Sequence, residues 1–310
     1  MSAATSIVLL PRLLEKAGEL VSAQNKVFVS MASRALLFND GARTAVGALK
    51  AEPPPCPAEL PVLVSAEWQA QGDYKSQFGQ DQYIEGQVNK TGARFYLDLG
   101  CNDGISASNT FYFARGLGWQ GVCVEADPDT FGRIAAASGR TDGVNVAVSD
   151  RDGPIEFTRA LGDTGGGHSG ISKSLDHEKI KRMGGGESTI TVDGISVKNL
   201  LAKYYPERRV IDYVSMDIEG AELTVLGAWP WTEWCVNTWS IEDNDCEDMV
   251  RWPAARHRRR LRGLASVSHR LLCTACSQAE LNAILLPQGY ELRGRIGVDS
   301  AYVRSSACEE

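Results

Sequence analysis

No apolar run in this 310-residue chain reaches the 18 or so residues that span a bilayer, so no transmembrane segment is expected. The short apolar stretch at 7–10 is cut off by Pro11 and Arg12 and followed by Glu15, which leaves it without a signal-peptide core. No Gly-Lys-Ser or Gly-Lys-Thr occurs, which excludes a P-loop. Cys273 and Cys276 form a lone CxxC, and without a second pair at a suitable spacing a zinc site is not supported. Internal repeats are absent as well. Basic charge is scarce: the formal net charge is −7, and most of the surface should repel nucleic acid. The exception is the tract 251–270, which holds seven Arg and no acid and leaves the other 290 residues at −14. It lacks interleaved aromatics that would stack on bases, so it reads as a solvated insertion at about 250–276, and no nucleic-acid partner is expected.

What is present is globular. Apolar residues make up 43% and charged residues 23%, and a chain this long can bury a sizeable core without staples. The eight cysteines are scattered through apolar stretches, which reads as buried thiols in a reducing compartment, not a disulfide framework. Segment 1–50 is Ala/Ser-rich with Arg12, Arg34 and Arg43, the composition of an organelle transit peptide. Its acids Glu15, Glu19 and Asp40 argue against that, and the expectation is a cytoplasmic protein. That segment could form one or two amphipathic helices, and the proline run at 52–57 reads as a linker, so 1–70 is an extension of unknown role.

From residue 71 short apolar runs alternate with helical stretches. Strands are expected at 94–99, 121–125, 144–148, 211–216 and 236–241, with short β-like pieces at 155–158 and 189–192 around a Gly-rich loop. Helices are expected at 106–115, at 129–137 behind Pro128 and an Asp127 N-cap, at 197–203, at 219–226, and at 278–285 closed by Pro287. A terminal hairpin over 290–304 turns at 297–299, and 305–310 is a tail. This rhythm implies an α/β domain over 71–304 with a mostly parallel sheet.

The stretch Leu97-Asp98-Leu99-Gly100-Cys101-Asn102-Asp103-Gly104 follows a strand and precedes an expected helix, where α/β sheets bind nucleotide-like ligands. Gly100 permits the tight turn, and Gly104 lets the helix pack close to the strand. Glu125, at the end of the next strand, stands at the distance of a carboxylate that grips ribose hydroxyls. Asn102 occupies the place where a dinucleotide fingerprint needs its second glycine, and Asp103 adds negative charge, so a pyrophosphate is disfavoured. S-adenosylmethionine has no phosphate and carries a sulfonium and an ammonium, which suit Asp98 and Asp103.

These residues carry a resemblance. Ser76-Gln77-Phe78-Gly79-Gln80-Asp81, the loop above, Ser108-Asn109-Thr110, the run from Gly118 to Pro128, Asp212 to Glu222, and Ser240-Ile241-Glu242-Asp243-Asn244 resemble the FkbM-type methyltransferases, in the same order. The likeness runs from about 76 to 245, with a weaker return at 289–304. It implies a Rossmann-like methyltransferase fold: a mostly parallel seven-stranded sheet with a C-terminal antiparallel hairpin. It also implies S-adenosylmethionine as donor and O-methylation of a sugar, natural-product or related small-molecule acceptor. Asp98, Gly100, Asn102 and Gly104 would then form the methionine-side loop and Glu125 the ribose grip, with Asp142 or Ala147 beside the adenine.

Methyl transfer to a neutral hydroxyl needs alignment and a base. His168 in the Gly-rich loop, Asp217 at the end of the fourth strand, and Glu219 just beyond it are the candidates, although Glu219 could instead cap the following helix. Asp217, Glu242 and Asp243 could hold a divalent ion through oxygen ligands, or form an acidic turn. The tryptophans 229, 231, 234 and 239 read as core. The rival readings are an NAD-type oxidoreductase, against which the missing glycine counts, and a non-catalytic binding protein that keeps the fold.

Overall fold

The computed structural model describes residues 60–65, 69, 71–88, 94–162, 167–243 and 277–309. The helices expected in 1–50, the proline run, Asn244 and the basic tract with Cys273 and Cys276 lie outside the described residues. In chain order, α1 (Gln80–Gln87) precedes β1 (Phe95–Leu99) and β2 (Gln120–Glu125). Next, α2 (Pro128–Arg133) leads to β3 (Gly143–Asn145), β4 (Ala147–Ser149), β5 (Gly153–Leu161) and β6 (Gly170–Ile171). They are followed by α3 (His177–Arg182), β7 (Gly186–Ser196) and α4 (Val197–Tyr204). The last elements are β8 (Val210–Met216), α5 (Glu222–Gly227), β9 (Cys235–Glu242), α6 (Ser277–Leu285), β10 (Tyr290–Ile296) and β11 (Asp299–Arg304).

Seven strands form one mixed sheet in the order β10-β11-β9-β8-β1-β2-β3. The five from β9 to β3 run parallel, and the terminal hairpin adds β11 antiparallel to β9. Its central strands β1 and β8 are buried at every position, as expected of parallel strands covered on both faces. Alternate residues serve opposite faces. Leu97, Leu99, Val214 and Met216 join α4 and the buried Trp229, Trp234 and Trp239 in the main core. Tyr96 and Tyr213, one residue out of phase, meet Ile84 of α1 and Phe113 on the other face. The tryptophans are therefore core, with the Trp229 and Trp239 rings packed edge to face at 4.7 Å.

Sequence order runs outward from β1 to β3 on one side and from β8 to β9 on the other, so the strand order reverses between β1 and β8. The carboxyl ends of these strands open a crevice at that switch point, the usual ligand position of open α/β sheets. The N-cap of α2 forms as expected, its Asp127 carboxylate accepting from the Asp129 N–H at 2.9 Å.

Five expectations need correction. The stretch 144–148 is not one strand. It breaks at Val146, because β2 ends at Glu125 and Asn145 uses its side-chain amide to donate to the Glu125 and Ala126 carbonyls at 2.8 and 3.1 Å. The chain then crosses into a second, four-stranded sheet of order β4-β7-β5-β6. The two short β-like pieces are in fact its long antiparallel pair, with Gly153 opposite Gly194 and Leu161 opposite Gly186.

The helix expected at 106–115 is an irregular loop ending in one π-type turn at Tyr112–Gly116. Asp103 accepts from the Ile105 and Ser106 N–H groups, and Ser108 Oγ accepts from Thr110 and Phe111. Those local bonds take donors that a helix would need. Gly104 consequently packs near Ser138, Arg140 and Ile134, and not between a helix and its strand.

Likewise the helix expected from 219 starts at Glu222, so Glu219 caps nothing. Glu222 accepts from the Ile218 N–H at 2.9 Å in its place.

The cysteines, finally, are not all thiols: Cys101 is bonded to Cys123 and Cys235 to Cys308. Sheet register makes the first pair, since Cys123 lies beside Asp98, three residues before Cys101.

Candidate active site

The crevice contains a cavity of about 340 Å³. Its floor is the turn after β1, whose conformation is dictated by close approach to β8. Asp217 N–H donates to the Leu99 carbonyl at 2.9 Å, and a Cβ on Gly100 would lie 1.7 Å from the Asp217 carbonyl oxygen. Gly100 also has φ +86°, so only glycine fits there. Gly100 and Cys101 both donate to the Val124 carbonyl, which ties the turn to β2 as the disulfide does. Asn102 is left-handed at φ +52°, and its N–H donates to Glu125 Oε2 at 3.0 Å.

Glu125 lines the cavity and also accepts from the Asp127 N–H at 2.8 Å. Burial pushes its carboxyl up to about 7 although these backbone donors pull it down. A carboxylate has about four lone-pair sites, and the two used here leave room for ligand hydroxyls. Asp98 is buried at the inner end of the cavity and accepts from Thr110 Oγ1 at 2.5 Å. Burial raises its pKa, against the pull of Arg140 and Thr110.

Sequence reading missed Arg140. Its fully buried guanidinium lies 3.9 Å from Asp98, donates to Asp142 at 2.9 Å and to Tyr96 Oη at 3.1 Å, and so fixes the acid behind the loop. Asp142, one of the two adenine-side candidates, is bonded to Arg140 and Tyr96 and is not part of the cavity lining. Ala147 is, together with Val146, Val148, Phe157 and Ile171, an apolar wall contributed largely by the second sheet. Gly104 lies outside the lining, and Gln77 of the Ser76–Asp81 motif lies within it. A bridge between Ser76 and Ala107 holds that motif against the loop.

The other end of the cavity gathers the candidate bases. His168 Nδ1 is 3.1 Å from Glu219 Oε1, and Lys179 Nζ is 3.4 Å from Glu219 Oε2. Carboxylate oxygens of Asp217, Glu219 and Glu242 lie within 4.8 Å of one another. Burial and then the Glu242 and Glu219 charges push Asp217 well above the usual carboxylate range. Of the oxygen-ligand trio, Asp217 and Glu242 therefore meet, with Glu219 as the third member. Asp243 is fully buried and faces Arg295 at 3.8 Å and Ser300. No Lys or Arg is among the described residues that line the cavity.

Residues 98–263 match the Methyltransferase FkbM domain. No curated protein matches the chain significantly. Among solved structures, a chain described as the METTL16 MTase domain is similar at 12% identity with a TM-score of 0.31, over 62% of this chain and 63% of that one. This chain thus covers less than two thirds of that chain's length.

Proposed function

We propose that this chain, which belongs to the FkbM methyltransferase domain family, is a methyltransferase that takes the methyl group from S-adenosylmethionine and passes it to a hydroxyl of a small-molecule or glycan acceptor. The observation that carries this reading is the cavity at the β1–β8 switch point. It has a cradle that a side chain on Gly100 would fill, carboxylates at both ends, and no Lys or Arg among the described residues of its lining. That donor set suits a phosphate-free cationic nucleoside better than a pyrophosphate, which counts against the oxidoreductase reading. Gly100 and Asn102 would flank the methionine portion with Asp98 behind them. Glu125 would accept the ribose hydroxyls, and the Ala147–Phe157 wall would cover the base.

When bound, the donor supplies an activated methyl group on a sulfonium. The protein aligns the acceptor oxygen in line with it and removes one proton. His168 suits that role: its Nδ1 lies 3.1 Å from Glu219 Oε1, and a proton on Nδ1 donated to that carboxylate would leave Nε2 as the basic nitrogen. His168 Nε2 would take the acceptor proton as the oxygen–methyl bond forms and the sulfur–methyl bond breaks, its electron pair staying on sulfur in a neutral thioether. Asp217, held well above the usual carboxylate range by burial and by the Glu242 and Glu219 charges, contributes polarity at the same end.

Titration calorimetry with S-adenosylmethionine tests the donor assignment. Wild type should bind, Asp98→Ala should abolish binding, and Glu125→Ala should weaken it. Normal binding by both variants, or binding of NAD alone, would place the site elsewhere. Radiolabelled donor offered to sugars, lipids and small phenols then identifies the acceptor.

A further inference from the structure

Three carboxylates share the acceptor end of the cavity, and the excursion between β5 and β7 brings a cation, Lys179, to one of them. That excursion delivers two residues to one acid: His168 from its loop and Lys179 from α3 meet opposite oxygens of Glu219. Two close backbone approaches pin it there. A Cβ on Gly170 would lie 3.1 Å from Glu219 Cβ, and one on Gly220 would lie 2.4 Å from the Ser174 carbonyl oxygen. Glu219 itself is held left-handed at φ +54°, a conformation that a long side chain seldom adopts unless its surroundings enforce it.

We propose that Lys179 is a positioning residue: its ammonium anchors Glu219 Oε2, which holds Oε1 against His168 Nδ1 and fixes the ring with Nε2 available to the acceptor. The arrangement requires a cation. Asp217 and Glu242 each bring a carboxylate oxygen within 4.8 Å of one from Glu219, and negative charge gathered at that spacing is unfavourable without a cation beside it. Lys179 is largely buried, which by itself lowers its pKa. The fields of Glu219, Glu242 and Asp217 more than reverse that, so its charge is held by the whole cluster. Without it, the Glu219 side chain turns away from the acids beside it, and the His168 ring loses its orienting acceptor. The inference rests on His168 as the base, yet its geometry can be read without an acceptor.

The test is a long-range proton–nitrogen spectrum of histidine-labelled protein, with the His168 signals assigned through His168→Asn. Wild type should show the Nδ1–H tautomer. Lys179→Met should lose it, Lys179→Arg should restore it, and calorimetric affinity for S-adenosylmethionine should stay within about twofold across the series. Lys179→Gln decides the matter if the methionine variant does not fold, as judged by circular dichroism. An unchanged His168 tautomer in a folded, uncharged variant overturns the proposal, as does absence of the Nδ1–H form in wild type. Failure of wild type to bind the donor would instead sink the broader reading, so the two failures are distinguishable.

Discussion

Replacing Gly100 with alanine would drive a methyl group into the Asp217 carbonyl oxygen at a position already left-handed. The turn can relieve that contact only by parting β1 from β8, so Gly100→Ala should cost about 4 kcal/mol or more and remove donor binding even where some fold survives. A thermal melt beside calorimetry separates the two effects, and near-wild-type affinity would show that the turn is not the cradle. Arg140 poses a different problem. It is a fully buried charge with two acidic partners, so Arg140→Met leaves Asp98 and Asp142 without their counter-ion. We expect a loss of about 3–5 kcal/mol in denaturant unfolding, with weaker donor binding because Asp98 is released. Nothing near Arg140 in the sequence advertises this role, since its partners lie 42 residues before it and two after it. The glycine loop, by contrast, was legible because its constraint is local: strand, turn and the acid of the next strand end follow one another along the chain.

At the scale of elements, the strands of the main sheet could be read from their apolar runs, because strands buried on both faces are mostly apolar, with Asp98 and Asp212 the charged exceptions in β1 and β8. The terminal hairpin and the Asp127 cap were legible for a similar reason, each being written in a few neighbouring residues. The second sheet was not. Its long strands β5 and β7 are half exposed, so only their most apolar stretches stood out, and the break at Val146 depends on where β2 ends. Helix 106–115 failed because Asp103 and Ser108 compete for the backbone, a contest that periodicity does not register. Disulfide pairing was equally out of reach, since sheet register decides which sulfurs meet. The Cys235–Cys308 bond ties the chain end to the start of β9 across a separation of 73 residues. On loop-closure grounds Cys308→Ser should cost at most about 4 kcal/mol, and it should leave donor binding intact because the bond is remote from the cavity. Alkylation before and after reduction, read by peptide mass, should show Cys101, Cys123, Cys235 and Cys308 protected until the reductant is added. Prior labelling of all four would refute the pairing.

For the whole molecule, the concentration of acids at one edge of the sheet sets how stability depends on pH. Burial pushes Glu125 from 4.5 to about 7, and burial with the Glu242 charge pushes Asp299 to about 7 and Glu222 to about 8. Each of these carboxyls holds its proton more tightly in the folded chain than in the unfolded one. Their contribution is therefore complete below the unfolded values near 4 and is lost as pH climbs through 7 and 8. Asp103 and Asp142 act in the opposite sense. Backbone and side-chain donors for the first, and Arg140 for the second, outweigh burial and lower their pKa values, so their share disappears on strong acidification. The two trends leave the ligand-free protein most stable well on the acid side of neutrality, near about pH 4, where the lowered carboxyls are still ionised and the raised ones have not begun to lose their protons in the unfolded chain. Glu125 alone accounts for at most roughly 3 kcal/mol of the decline, an upper limit because it borders the open cavity. The melting temperature should fall by roughly 5–10 °C between about pH 6 and pH 8.5. In Glu125→Gln the fall should be shallower, because one buried acid no longer titrates. Ribose hydroxyls donating to Glu125 would favour its ionised form, so saturating S-adenosylmethionine should flatten the wild-type profile in the same range and bind more tightly as pH rises through 7. A melting profile that climbs toward pH 8.5, or donor affinity that is greatest at pH 5.5, would show that the acids of the crevice are not the buried, proton-sharing groups their surroundings make them.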